Sequence, residues 1–108
     1  MADIKDKLIP NDLDMDQIHS LIAERCILIR KKILKKNQKE MAGEMDISLD
    51  WLGDFESGKR SRDIYKLLLY LMQKNIDIRY LFYKDFFIDD IISEREKNTK
   101  YKFNNDEI

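Results

Sequence analysis

NQKEMAGEMDISLDWLGDFESGK, residues 37–59, reads as two short helices joined by a tight turn and closed by a glycine. Asn37 is a strong N-cap, and Glu40 stands at the reciprocal position of a capping box. Met41, Ala42 and Met45 share one helical face. Asp46 falls where the chain must turn, and aspartate is among the few non-glycine residues that tolerate left-handed dihedrals. Ser48 caps the second helix, whose Leu52 and Phe55 lie on one side with Ile47 just before it. Gly58 stops that helix as a left-handed C′ residue. The expected helices span 38–45 and 48–57. Gly43 is out of place in a helix interior, costing about 1 kcal/mol against alanine. Either another chain approaches there or the helix is weak.

Outward from this unit the chain keeps helical spacing. Asp14 with Gln17 marks the start of a first helix running over about 16–36. Its Ile18, Leu21, Ile22, Ile29 and Ile33 form a stripe interrupted only by Arg25. A fourth helix, about 62–74, carries a core stripe of Ile64, Leu67, Leu68 and Leu71 and a second stripe of Tyr65, Leu69 and Met72. A helix apolar on nearly every side is buried on nearly every side. In 108 residues the second stripe is expected to face another subunit. Asp77 caps a short fifth helix with Tyr80, Leu81 and Phe82. Residues 86–97, with Phe86, Phe87, Ile91 and Ile92, read as a sixth helix that packs on the domain or on a partner. The acidic residues 1–15, broken by Pro10, are expected to be an arm, and 99–108 a loose tail. The reading is one all-α domain at 16–84 with a C-terminal helix at 85–98.

Charge is unevenly spread although the net value is −1. Residues 30–39 hold six bases and no acid, and residues 40–58 hold six acids and no base. Lys59, Arg60 and Arg62 follow. The basic run is either a solvated face or a row of phosphate contacts, which would raise affinity without reading sequence.

Gln38, Ala42, Ile47-Ser48, Leu52 and Glu56-Ser57-Gly58-Lys59 resemble the λ repressor/Cro-type (XRE) helix-turn-helix pattern. Asn75 to Phe82 is similar to the closing segment of that domain. The resemblance covers about residues 24–83. It implies a λ repressor-like fold of about five helices, to which the C-terminal helix is added. It also implies that a basic residue of the first helix pairs with Glu56, and Arg30 and Lys31 both remain open for that role. The first helix is longer than the family's usual one, and the glycine that usually follows it is replaced by Lys35-Lys36.

The resemblance further implies a sequence-specific regulator of transcription that binds double-stranded DNA as a homodimer, with helix 48–57 in the major groove. By carry-over, Ser48, Leu49, Asp50 and Asp54 face the bases. Gln38 braces phosphate or the first base, Asn37, Lys39 and Ser57 flank the backbone, and Lys59, Arg60 and Arg62 follow it. This chain departs from the family by offering Leu and two Asp in place of amides and arginines. Cytosine N4 is the base donor that suits a carboxylate, and Leu49 suits a thymine methyl. Trp51 either packs back on the preceding helix or stands at the DNA surface. Tyr65, Leu69, Phe82, Phe86 and Phe87 are the expected dimer surface. Two alternatives stay open: a DNA-binding antitoxin that holds its toxin through the C-terminal segment, and the same fold turned to protein binding through its acidic face.

Other classes lack their residues. Cys26 stands alone, so neither an intrachain disulfide nor a Cys-based zinc site is expected. His19 is the one histidine and lies in an apolar stripe, far from any serine motif. There is no glycine-rich phosphate loop and no EF-hand spacing. An enzyme, a cofactor and a metal site are not expected. With no signal peptide and no apolar run near ~18–20 residues, a soluble cytoplasmic protein without a membrane partner is expected.

Overall fold

The computed structural model describes residues 4–59 and 64–97. They form α1 (Met15–Leu28), α2 (Gln38–Met45), α3 (Leu49–Glu56), α4 (Ile64–Gln73) and α5 (Ile88–Lys97), with 3-10 turns at Ile4–Lys7 and Ile78–Leu81. The chain is all-helical over these residues, and none of their helices is long and apolar enough to cross a membrane. Arg60, Arg62 and the tail 99–108 lie outside the described residues.

Each start is set by a local cap. Asp14 Oδ1 accepts from the Gln17 amide at 2.8 Å and Gln17 Oε1 from the Asp14 amide at 3.0 Å. Asn37 and Glu40 repeat the same box at 2.8 and 3.0 Å. Ser48 Oγ accepts from the Trp51 amide at 3.0 Å. Asp46 turns the chain with φ 56°, and Gly58 ends the unit with φ 93°. The apolar faces meet in one core, where Ile22, Cys26 and Ile29 pack with Met41, Ala42, Leu52, Phe55, Leu67 and Leu71. Burial excludes water from every helix of the 38–56 unit on its inner side.

The first helix departs from a continuous α-helix. After Leu28 it widens into a π-helical segment, Ile29–Leu34, and it stops at Lys35 with φ 54°. The Lys36 amide donates to Arg30 O at 3.1 Å, closing that end. A π turn holds more residues than an α turn. A lysine therefore takes the left-handed position where glycine would be unstrained.

The expected arm is tied down. The Ile9 amide donates to Phe82 O at 2.7 Å and the Lys84 amide to Lys7 O at 2.8 Å, pairing Leu8 opposite Tyr83. Beneath them lies Arg25, buried in α1. Its guanidinium donates to the carbonyls of Tyr80 (3.2 Å), Leu81 (3.0 Å), Lys84 (3.3 Å) and Tyr83, and sits 5.0 Å over the Phe86 ring. Five N–H groups on one planar head suit a turn whose carbonyls have no helical partner. α5 folds back on its own domain: Ile91 is buried, and Arg95 donates to Lys74 O (2.6 Å) and Asn75 O (3.1 Å) at the end of α4.

Glu44 joins three elements. It accepts from Tyr70 Oη (2.9 Å) on α4, from Lys74 Nζ (3.1 Å) just beyond it, and from Lys36 Nζ between α1 and α2. Lys36 first, then Lys74 and Tyr70, hold its carboxyl down to about 2 from an ordinary 4.5. A lowered folded-state pKa gives stability that is present above the ordinary value and lost as pH falls toward the folded one. Glu44→Gln is expected to be less stable than the parent at pH 7, with the difference shrinking between about pH 4.5 and pH 2 in urea melts. A Cβ added at Gly43 would meet nothing within 4 Å. No contact among the described residues therefore requires glycine there. Gly43→Ala is expected to raise stability by about 1 kcal/mol, read as a higher Tm.

Candidate functional site

Besides its core packing and the Glu44 contacts, the α2–turn–α3 unit is held to the rest of the molecule by a buried charge network. Glu56, the last residue of α3, accepts from Arg30 Nε at 2.8 Å and Arg30 Nη2 at 2.9 Å, with both side chains under a tenth exposed. Arg30 Nη1 also donates to Lys36 O at 3.0 Å, and Gln38 Nε2 donates to Glu56 Oε1 at 2.8 Å. The partner of Glu56 is thus Arg30, not Lys31: Arg30 shares a helical face with the buried Ala23 and Cys26, while Lys31 is exposed. A bidentate guanidinium–carboxylate pair fixes geometry as well as charge. It binds the end of the first helix, the start of α2 and the end of α3 into one piece.

With Leu52 and Phe55 buried on the inner side of α3, helical periodicity sends the intervening residues outward. Ser48, Leu49, Asp50 and Asp54 are all exposed, and Leu49 keeps 48% of its surface accessible. No cation lies on that row. Among the described residues Asp54 has one partner from outside it, Lys59 Nζ at 3.4 Å, an exposed contact of little energetic weight. Ser57 Oγ donates to Asp54 O at 2.9 Å. A Cβ at Gly53 would meet nothing within 4 Å, so bare backbone stands on this side of α3.

The flanking residues divide. Lys39 and Lys59 are exposed, while the side chain of Asn37 is committed to its cap and the amide of Gln38 to Glu56. Among the expected dimer residues, Tyr65 (62%), Leu69 (55%), Phe82 and Phe87 (63%) are exposed, and Met72 joins Tyr65 and Leu69 on α4. Phe86 is different. It is half-buried under Arg25 and packs on its own core, so it is withdrawn from that surface. Trp51 stacks along its own helix on Phe55, with ring centroids 5.8 Å apart and planes 11° from parallel. It is half-buried rather than laid out on the surface.

Two contacts were missed in the sequence. Tyr70 is a core residue with its hydroxyl on Glu44, although its spacing from Leu67 and Leu71 placed it on the inner face. The π segment had no local signal apart from the absent glycine. His19 packs edge-on against Phe55, centroids 5.2 Å apart. Cys26 is buried, and burial first, then Glu56, pushes its thiol up to about 12. It packs in the core beside Ile22 and Ile29.

Comparison with family models, with curated proteins and with solved structures finds no match to this chain. The site therefore stands on its own geometry. Glu56→Ala strands the Arg30 charge in the interior and is expected to cost about 3–5 kcal/mol in denaturant melts. Arg30→Met combined with Glu56→Leu removes both charges and is expected to lose far less than either single change.

Proposed function

We propose that the chain is a λ repressor/Cro-type DNA-binding regulator of transcription that acts as a homodimer, with α3 laid in the major groove. The observation that carries the reading is the α2–turn–α3 unit itself. Its two eight-residue helices are joined at Asp46–Ser48 and locked by Arg30, Glu56 and Gln38. Its outward row of Ser48, Leu49, Asp50 and Asp54 is left uncovered. A short helix presented with its first turn exposed is the form in which such proteins reach base edges. Asp50 and Asp54 would accept from cytosine N4, and Leu49 would meet a thymine methyl. Lys39 and Lys59, with Arg60 and Arg62, supply the rim. The function is occupancy of an operator, with no chemistry performed.

A homodimer follows from the same reading. Two copies of α3 must stand about one helical turn of DNA apart, ~34 Å, to meet a palindromic site. Tyr65, Leu69 and Met72 form the exposed apolar stripe of α4, and Phe82 and Phe87 are the other exposed aromatic side chains of the expected surface. The second reading, a helix-turn-helix unit turned to protein binding, is favoured by one fact: the outward row has an exposed leucine and two carboxylates but no amide or guanidinium.

A selection on a random duplex pool at ~150 mM salt separates the two. The expected result is a palindromic motif with half-sites about 10–11 base pairs apart, whose preferred sequence changes in Asp50→Ala. Recovery of no motif, with only weak salt-sensitive binding, would remove the DNA reading and leave the protein partner.

A further inference from the structure

We propose that the joint between α1 and α2 is a phosphate-binding edge, in which Lys31, Lys32, Lys35 and Lys39 hold the duplex backbone and supply most of the affinity. This deepens the DNA reading and rests on it.

The fold sorts the basic run into two sets. Arg30 is spent on Glu56 and Lys36 on Glu44, both inside the molecule's own network. Lys31, Lys32, Lys35 and Lys39 are exposed, and none of them is ion-paired among the described residues. Four unpaired ammonium groups thus stand within nine residues of chain, with no acid among residues 30–39. Helical spacing makes this division, since Arg30 shares a face with the buried Ala23 and Cys26 while Lys31 and Lys32 lie outside it. The stretch also includes the π-helical segment Ile29–Leu34, and such segments are frequent at functional sites.

Lys35 carries a second, independent sign. Its φ is 54°, a conformation that suits glycine and strains a side-chain-bearing residue. Strain kept at a charged, exposed position points to work done by the charge rather than to packing. Electrostatics gives the third. The outward row of α3 contributes carboxylates that a phosphate-lined groove repels, and Lys59 lies against Asp54 at 3.4 Å. Attraction to a polyanion must then come from beside α3, and the α1–α2 edge holds four exposed lysines close together in the chain and next to the start of α2. Each phosphate so neutralised releases counterions, steepening the salt dependence by about 0.9 in log–log slope.

The test is binding of the whole chain to a fluorescent 30-base-pair duplex between about 50 and 300 mM KCl. In the variant with Lys31, Lys32, Lys35 and Lys39 all changed to Gln, the slope is expected to flatten by about 3–4. Lys36→Gln, which removes an equal charge already paired with Glu44, is expected to leave the slope unchanged. Lys35→Gly is expected to raise Tm yet flatten the slope by about 1, and it keeps the test open if the fourfold variant does not fold. A fourfold variant with the wild-type slope overturns the proposal while leaving the DNA reading standing. So does Lys36→Gln flattening the slope as much as Lys35→Gln. Wild-type protein that ignores the duplex at 50 mM KCl, or prefers vesicles rich in phosphatidylserine, overturns both.

Discussion

Glu56 brings a full negative charge to a place that water scarcely reaches, and Arg30 is what makes that tolerable. An isolated buried carboxylate costs several kcal/mol, so the guanidinium must be in position before α3 can close on the core. Everything around the α2–α3 unit follows from that requirement. The end of the first helix has to present Arg30 inward, on the face it shares with Ala23 and Cys26. The loop after it has to pass close enough for Lys36 O to accept from the same guanidinium, and α2 has to begin where Gln38 reaches Glu56. A short helix with few buried side chains would otherwise have little to fix its angle. Here, Leu52 and Phe55 provide the adhesion and the ion pair provides the orientation.

Turn chemistry supports the same arrangement with little use of glycine. Lys35, Asp46 and Asn75 all take left-handed dihedrals, and Gly58 is the glycine that does so. Asp46 and Asn75 carry short polar side chains that accept the conformation at modest cost. Lys35 does not, and it stands between the outward Lys31 and Lys32 and Lys36, which is paired with Glu44. Charge and backbone are thus decided together at one joint.

Much of this was legible in the residues because it depends on neighbours in sequence. The capping pairs Asp14–Gln17 and Asn37–Glu40, the Asp46 turn and the Gly58 stop are settled within one or two turns of chain, and each occurs where expected. The exposure of Ser48, Leu49, Asp50 and Asp54 follows from the burial of Leu52 and Phe55 on a helix of known pitch. The choice between Arg30 and Lys31 was not legible, since it turns on a partner 26 residues away. Nor was the pairing of Ile9 with Phe82, because an acidic segment broken by proline carries no strand pattern. Phe86 read as surface apolar area, and only the position of Arg25 brings it inside. What the outward row of α3 touches lies beyond a single chain and beyond any reading of its periodicity.

The Arg25 contacts have a bearing on the order in which the molecule is made. That guanidinium sits in the first helix, yet the carbonyls it satisfies belong to residues 80–84. On a ribosome, where residues emerge at roughly 5–20 per second, α1 waits several seconds for its partners. Until then a charged group on its apolar stripe keeps that face wet and discourages premature collapse of the first half. Completion of the turn at 80–84 removes the obstacle, and the core can close as a unit. One side chain of the first helix thus depends on a turn made 55 to 59 residues later.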